Sequence, residues 1–397
     1  MVERLNLILK SPVVVSLLEV VKGFQVQLLQ KIGYNRNSTE ISAQSYRNAL
    51  NCRVQLTTQE KDSPAFDVFN VEICGRVYTP AEVHYASVQI SIMDVTDGPG
   101  TARPVHSKVK KGQMHDSPAF IYNAELGKLP NEDVVLPNWI PVAQLNLDWL
   151  MLPRKGQRVL QFITSILSRD SLDELACAIC TFTYQNRELG YIDLQENIQR
   201  AKMLAVTLAF AVSAVDNKLY NCEIELVKNW AKANLDAFRA SGKVRRKLEK
   251  ALDKTVAFFR KGYEIDTCKI CKEIVEIVPI SQRYEVLDLC MRVAKANGIA
   301  SEQEVALLKN LANWLEVDTD RFRAMMEKIL PAGMHEVEDV EVILGIDSDM
   351  GAEQTRKQLN QEYRKWSSRV TNLDPEIRTQ ADYMIKFIAE ARTTYVK

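Results

Sequence analysis

With 397 residues, 46% hydrophobic and 26% charged, the chain is too long for one compact core and too apolar for disorder, so two or three globular domains are expected. Lys plus Arg and Asp plus Glu stand at 51 each, which removes any global electrostatic reason to expect nucleic acid or an anionic membrane as partner, although local charge can still matter. These totals name no reaction; what the sequence offers is organisation.

The most apolar N-terminal stretch, Leu5 to Val21, is interrupted by Lys10, Ser11, Pro12 and Glu19 and falls short of the roughly 20 clean residues of a spanning helix. Glu3 beside Arg4, with no small-residue cleavage site after a continuous apolar core, argues against a secretory signal. A cytoplasmic protein, peripheral at most to the inner membrane, is expected. Cys52, Cys74, Cys177, Cys180, Cys222, Cys268, Cys271 and Cys290 are scattered along a long chain and read as reduced thiols, not as a disulfide framework.

In chain order, the leader from Met1 to Leu29 is ambiguous, because Val13 to Val21 has high β-propensity without alternation. From about Ala49 to Leu167 the period is two, as in Cys52–Thr58, Val68–Cys74 and Ser87–Ile92, with breaker clusters at Asp97–Gly100, Leu129–Asn131 and Pro153–Gly156. Short strands at regular spacing predict a β-sandwich over residues 1–167. From Ser168 the periodicity lengthens, and an all-helical domain is predicted over 168–330. That half repeats itself: Asp216-Asn217, Glu223 and Lys228-Asn229 recur as Asn297-Gly298, Glu304 and Lys309-Asn310, an offset of 81 residues. Each copy reads as a helical hairpin around a polar turn. After Pro331-Ala-Gly333 comes an acidic stretch with Glu336, Glu338, Asp339, Glu341, Asp347, Asp349 and Glu353, then a third helical module, giving 331–397 as the last segment. The expected class is therefore multidomain α+β.

The repeated turn carries Asp216 and Glu223 in one copy and Asn297 and Glu304 in the other, oxygen ligands of the kind that calcium or magnesium takes. It is not an EF-hand, since Lys218 or Ile299 stands at the third position. The structural alternative has Asp216 and Asn297 adopting turn geometry, with Glu223 and Glu304 complementing the dipole of the following helix. The CxxC pairs Cys177/Cys180 and Cys268/Cys271 each have the spacing of half a zinc site, or are buried thiols within helical segments. Lys228 to Lys261 is strongly basic, and Arg239, Lys243, Arg245, Arg246, Lys247 and Lys250 form its basic face, able to meet an acidic partner, nucleic acid or an anionic membrane surface, or to stand solvated. The histidines, His84, His106, His115 and His335, lie in no catalytic motif, and no Walker loop or dinucleotide fingerprint is present. Asp94 with Asp97, and Glu132 with Asp133, form two acidic loops for which calcium-dependent lipid binding is one reading.

Two family resemblances follow from these residues. Ala209-Phe-Ala-Val-Ser-Ala-Val-Asp216-Asn217 ahead of Glu223, and Arg292-Val-Ala-Lys-Ala-Asn297-Gly298 ahead of Glu304, resemble the tellurite-resistance TerB family, whose hallmark is an Ala-rich helix, Asp-Gly and a Glu opening the next helix. Asn217 stands where glycine is usual, and Asn297 where aspartate is. The resemblance implies a non-catalytic helical module of stress response, envelope-associated complexes and phage defence, with a divalent cation at Asp216, Glu223, Asn297 and Glu304. The tail, Leu344-Gly-Ile346, Tyr363-Arg-Lys-Trp366 and Ala391 to Tyr395, resembles a DnaJ-type J domain, but Ser367 to Asn372 replaces the His-Pro-Asp loop that stimulates a chaperone ATPase. TerB followed by a J domain is an arrangement of co-chaperones.

The resulting expectation is a non-enzymatic adaptor of a bacterial stress-response or phage-defence complex, with no catalytic residues. It would bind other proteins, an ATPase or helicase among them, with the tail docking through Tyr363, Arg364, Lys365 and Trp366. The alternatives are a metal-dependent enzyme centred on Asp216, Glu223 and Glu304, and a co-chaperone.

Overall fold

The computed structural model describes residues 50–59, 65–79, 84–109, 113–114, 117–129, 132–169, 174–236, 242–335, 340–346 and 350–395. The leader Met1 to Leu29 lies outside them, as do Arg239, His115 and the acidic residues Glu336, Glu338, Asp339, Asp347 and Asp349. The chain divides into two compact units between Gln195 and Glu196, the first built of antiparallel sheet and the second of helices.

Among the described residues the strands are β1 (Leu50–Gln59), β2 (Phe66–Thr79), β3 (His84–Asp94), β4 (Arg103–Pro104), β5 (His106–Ser107), β6 (Gln113–Met114), β7 (Ser117–Leu129), β8 (Glu132–Asn146), β9 (Leu150–Met151), β10 (Gly156–Ser168) and β11 (Glu174–Asn186). One sheet has the order β1-β2-β8. The other runs β11-β10-β3-β7-β5-β9, with β4 on β3 and β6 on β7. All pairings between these strands are antiparallel. Period two sorts each strand into an inward and an outward row. Phe69 and Val71 of β2 and Leu145 of β8 share one core with Val88, Ile90 and Ile92 of β3 and Leu160 and Phe162 of β10, so the two sheets pack face to face. Phe69 is at its centre, its ring meeting Phe162, Phe182 and Tyr184 edge-on at 5.3, 5.5 and 5.7 Å between centroids. Along β8, one edge of the smaller sheet among the described strands, the register against β2 breaks beside Pro141 and again across Pro137, where the pyrrolidine nitrogen has no hydrogen to donate.

The expectation that helices begin at Ser168 fails. β11 pairs with β10 along almost its whole length, and among the described residues the first helix starts at Tyr191. Small inward residues, Ala176 and Ala178, alternate with Cys177 and Ile179, so Leu175 to Cys180 has the composition of a helix and only the alternation of burial reveals a strand. Cys177 and Cys180 are therefore three residues apart on a strand, on opposite faces, and do not converge on one metal.

Within the first unit, the chain from Gly190 to Asp193 is held by several bonds. Asp193 accepts from Gly190 N at 3.0 Å and Lys155 N at 2.7 Å, while Arg154 donates to its other oxygen at 3.1 Å. Tyr191 donates to Pro104 O at 3.1 Å and stacks on His106 at 3.7 Å. A Cβ at Gly190 would collide with the carbonyl of Pro153.

The helices are α1 (Tyr191–Ala214), α2 (Asn221–Asn234), α3 (Gly242–Arg260), α4 (Thr267–Ile277), α5 (Ile280–Lys295), α6 (Glu302–Trp314), α7 (Thr319–Ile329), α8 (Val340–Leu344), α9 (Ala352–Ser367) and α10 (Pro375–Tyr395). Met203 to Ser213 is buried without interruption, as its all-round apolar composition requires, and the hydroxyls of Thr207 and Ser213 donate to the carbonyls of Met203 and Ala209 one turn earlier. α5 is the other central helix, with Leu287, Leu289, Cys290, Met291, Val293 and Ala294 buried. Among the described residues no helix is long and apolar enough to cross a membrane.

Removing the Phe69 ring leaves a cavity shared by both sheets. Phe69→Ala is expected to destabilise the β unit by about 3–5 kcal/mol, read as a lower denaturant midpoint with an unchanged slope.

Candidate functional site

The four residues expected at the repeated turn are assembled by two helix–turn–helix units. α1 ends in a turn where Asn217 adopts a left-handed φ of 62° and Asp216 Oδ1 accepts from Lys218 N at 2.9 Å. α5 ends the same way: Gly298 has φ 96°, and Asn297 Oδ1 accepts from Ile299 N at 3.0 Å. Asp216 and Asn297 thus take the turn geometry expected of them, and the left-handed residue is the one that follows each. Asparagine tolerates that region better than other side-chain-bearing residues, which explains how Asn217 stands in for glycine.

Each following helix carries a glutamate in its first turn that reaches back to the chain entering it. Glu304 Oε2 accepts from Ser301 N at 2.8 Å, and Ser301 Oγ accepts from Glu304 N at 3.2 Å, a complete capping box. Glu223 Oε2 accepts from Tyr220 N at 3.2 Å. Its other oxygen accepts from Asn297 Nδ2 at 2.9 Å, a side-chain bond that joins the two turns across 74 residues.

Glu223 has no solvent exposure and Glu304 only 2%. Burial pushes the Glu223 carboxyl up to about 7, with the negative charges of Glu304 and Asp216 adding to the rise and the Tyr220 and Ser213 hydrogen bonds opposing it. The arrangement does not fit a cation in the present side-chain positions. Asn297 turns its amide nitrogen, a donor, toward Glu223 and engages its oxygen with a backbone N–H. Among the described residues no three His, Cys, Asp or Glu side chains are grouped to hold a metal ion.

The other expected residues separate into surface and core. Lys243, Arg245, Arg246, Lys247 and Lys250 are exposed on α3, whose opposite face buries Leu248, Leu252 and Phe259; Arg245 pairs with Glu249 at 3.1 Å. In the tail, Tyr363 and Arg364 are exposed, and the Arg392 guanidinium lies 4.9 Å from the Tyr363 ring. Trp366 does not belong with them. It is 1% exposed in the core formed by Leu344, Leu359, Met384 and Ile388, and its Nε1 donates to Glu362 at 3.2 Å. Lys365 and Arg369 both bind Glu327 of α7, so Lys365 fastens the tail to the preceding helix.

Cys268 and Cys271 share a face of α4, where burial pushes the Cys271 thiol up to about 12. In the β unit Asp94 is occupied: it accepts from Thr96 N at 3.0 Å and lies 3.4 Å from Arg158, both charged groups being buried. Asp97 stands 3.6 Å from Arg103. Glu132 and Asp133, expected in a second acidic loop, instead open β8, paired with Thr79 and Tyr78, and their side chains are outside the described residues. Sequence reasoning missed the contact between Asn297 and Glu223, because no periodicity relates a turn to the glutamate of the other copy.

With that geometry established, a family model described as "Tellurite resistance protein TerB" covers the segment holding both turns. Residues 202–327 are a TerB domain. No curated protein matches the chain. Two solved structures of Bacteroides uniformis beta-glucuronidase, one covalently bound to cyclophellitol-6-carboxylate aziridine, are similar at 11% and 10% identity, with TM-scores of 0.17 and 0.18. Each comparison covers 70% of this chain and 38% of the glucuronidase, so the chain spans well under half the length of those proteins. Similarity at that level carries no argument about fold or activity.

The Glu223 carboxyl also sets a pH dependence. Its pKa is about 7 in the folded chain against an ordinary 4.5, so its contribution is most favourable below pH 4.5 and is lost as pH rises through 7, a change on the order of 3 kcal/mol. Thermal melts between pH 5 and 8 are expected to show this fall for the wild type, and Glu223→Gln is expected to remove that component.

Proposed function

We propose that the chain is a non-catalytic adaptor of a multi-protein complex of the tellurite-resistance type, serving bacterial stress response or phage defence, in which the TerB domain offers its basic helix to an acidic protein surface. The observation that carries the reading is α3. Five exposed cations, Lys243, Arg245, Arg246, Lys247 and Lys250, stand on a helix anchored by a buried apolar stripe within the TerB match. A fixed helix pre-positions its charges, so a partner with complementary potential is steered to it and held in register. An ATPase or helicase subunit of the same system fits that role.

Two further elements belong to this reading. The turns after α1 and α5 share the side-chain-to-backbone bond, the left-handed residue and the reaching glutamate, which supports their descent from one duplicated hairpin. The tail, α8 to α10 around Trp366, is read as a J-like module that has exchanged the ATPase-stimulating loop for Ser367 to Asn372 and retains a structural role through Lys365 and Arg369 on Glu327.

Affinity purification of the full chain from its native cell, beside a variant carrying Arg245→Glu, Arg246→Glu, Lys247→Glu and Lys250→Glu, tests the adaptor. A stoichiometric protein held by the wild type is expected to be lost from the variant and weakened by salt, with circular dichroism unchanged. Retention of the same partner by the variant would overturn the role of α3. A chain that purifies alone with a stoichiometric divalent metal, and shows turnover that Glu223→Ala abolishes, would replace the adaptor by the metal-dependent enzyme.

A further inference from the structure

Alternation places Cys52 on the inward row of β1 with Leu50 and Val54, and Cys180 on the inward row of β11 with Ala178 and Phe182. β1 is an edge of the smaller sheet and β11 an edge of the larger. Where these edges meet, the two Sγ atoms lie 2.8 Å apart across 128 residues of sequence. Thr164 Oγ1, from β10, donates to Cys52 Sγ at 3.6 Å. Both residues are partly exposed at these edges, not enclosed in the core.

The other cysteines are placed differently. Cys177 faces the outward side of the same strand, beside Ser165 Oγ at 3.7 Å, and Cys271 and Cys290 are buried in the helical unit. A disulfide needs a sulfur separation of about 2.05 Å, and a movement of less than an ångström brings Cys52 and Cys180 to it.

We propose that Cys52 and Cys180 form a redox-closing dithiol, at which a small-molecule disulfide of the glutathione class installs a reversible covalent tie between the two sheets. Cys52 is the attacking group, because Thr164 Oγ1 donates to its sulfur and so favours the thiolate; the hydrogen bond that the two sulfurs share also holds the Cys52 thiol below the ordinary range, and that bond together with burial pushes Cys180 up. The Cys52 thiolate attacks one sulfur of the glutathione disulfide, a protein–glutathione bond forms, and one glutathione thiolate leaves and takes up a proton. Cys180 then loses its proton to solvent and attacks Cys52 Sγ, expelling the second glutathione thiolate. Two protein thiols are oxidised, one disulfide is reduced to two thiols, and no other co-reactant is required.

Closure links the sheets through a loop of more than a hundred residues, and this constrains the unfolded chain more than the folded one. The melting temperature of the β unit is expected to rise by roughly 10 °C on oxidation and to return on reduction.

The test uses the full chain in glutathione redox buffers, with rapid alkylation and non-reducing peptide mapping. The expected result is a Cys52–Cys180 linked peptide that appears as the buffer is made oxidising and disappears with excess reduced glutathione. Cys52→Ser and Cys180→Ser should each abolish the link and the melting shift, and Cys177→Ser should leave both intact. The proposal is overturned if both thiols of the wild type remain alkylatable in excess glutathione disulfide. It is equally overturned if Cys52 stops at the glutathione adduct, or if Cys52 links to Cys177 instead. The wild-type peptide map decides these outcomes even where a serine variant folds poorly.

Discussion

A carboxylate removed from water has to be met by donors, and Glu223 imposes that requirement on the helical unit. Its two oxygens draw on Tyr220 N, in its own turn, and on the amide of Asn297, in the turn that ends α5. For Asn297 to present its amide, its oxygen must already be fixed, and it is fixed on Ile299 N through a turn that Gly298 closes with positive φ. One buried carboxyl therefore ties together two turns that belong to helix pairs far apart in sequence. Losing a partner of such a group is more costly than losing a surface bond, because the carboxyl stays buried with a hydrogen bond unmade.

Similar economy runs through the β unit. Asp94 and Arg158, both buried, are joined to Thr96, whose hydroxyl also accepts from Val159 N at 2.8 Å. This cluster fastens the end of β3 to the start of β10 where the two strands pair. The acidity that looks available for a ligand in the sequence is neutralised by neighbours that come from elsewhere in the chain. The tail follows the same rule, since Glu327 gathers Lys365 and Arg369 and leaves Tyr363 and Arg364 outward.

What could be read in advance follows from which patterns are local. The strands from Cys52 to Ile92 and the hairpin turns at Asp216 and Asn297 are visible because alternation, Asx turns and first-turn glutamates operate within a few residues. β11 was hidden because alanine and leucine at 175–178 satisfy a helix and a buried strand row equally well, and pairing with β10 decided between them. Trp366 is hidden for a related reason. A basic Tyr-Arg-Lys-Trp run looks like a surface, yet its fourth residue turns inward, and only the packing of α9 against α10 shows it. The contact of Asn297 with Glu223, like that of Cys52 with Cys180, joins residues with no local signature; tertiary structure alone brings them together.

The prolines of β8 have a consequence for how copies of this protein coexist. An open strand at a sheet edge is a template on which a second chain can grow the sheet. Along β8 that ladder is interrupted at Pro137 and Pro141, each beside a break in register, although Val135 and Ile140 lie exposed on the same strand. An incoming strand would find neither a continuous row of donors nor a constant phase. Among the described residues this edge thus combines an interrupted ladder with apolar side chains at its surface, a poor template for a second strand.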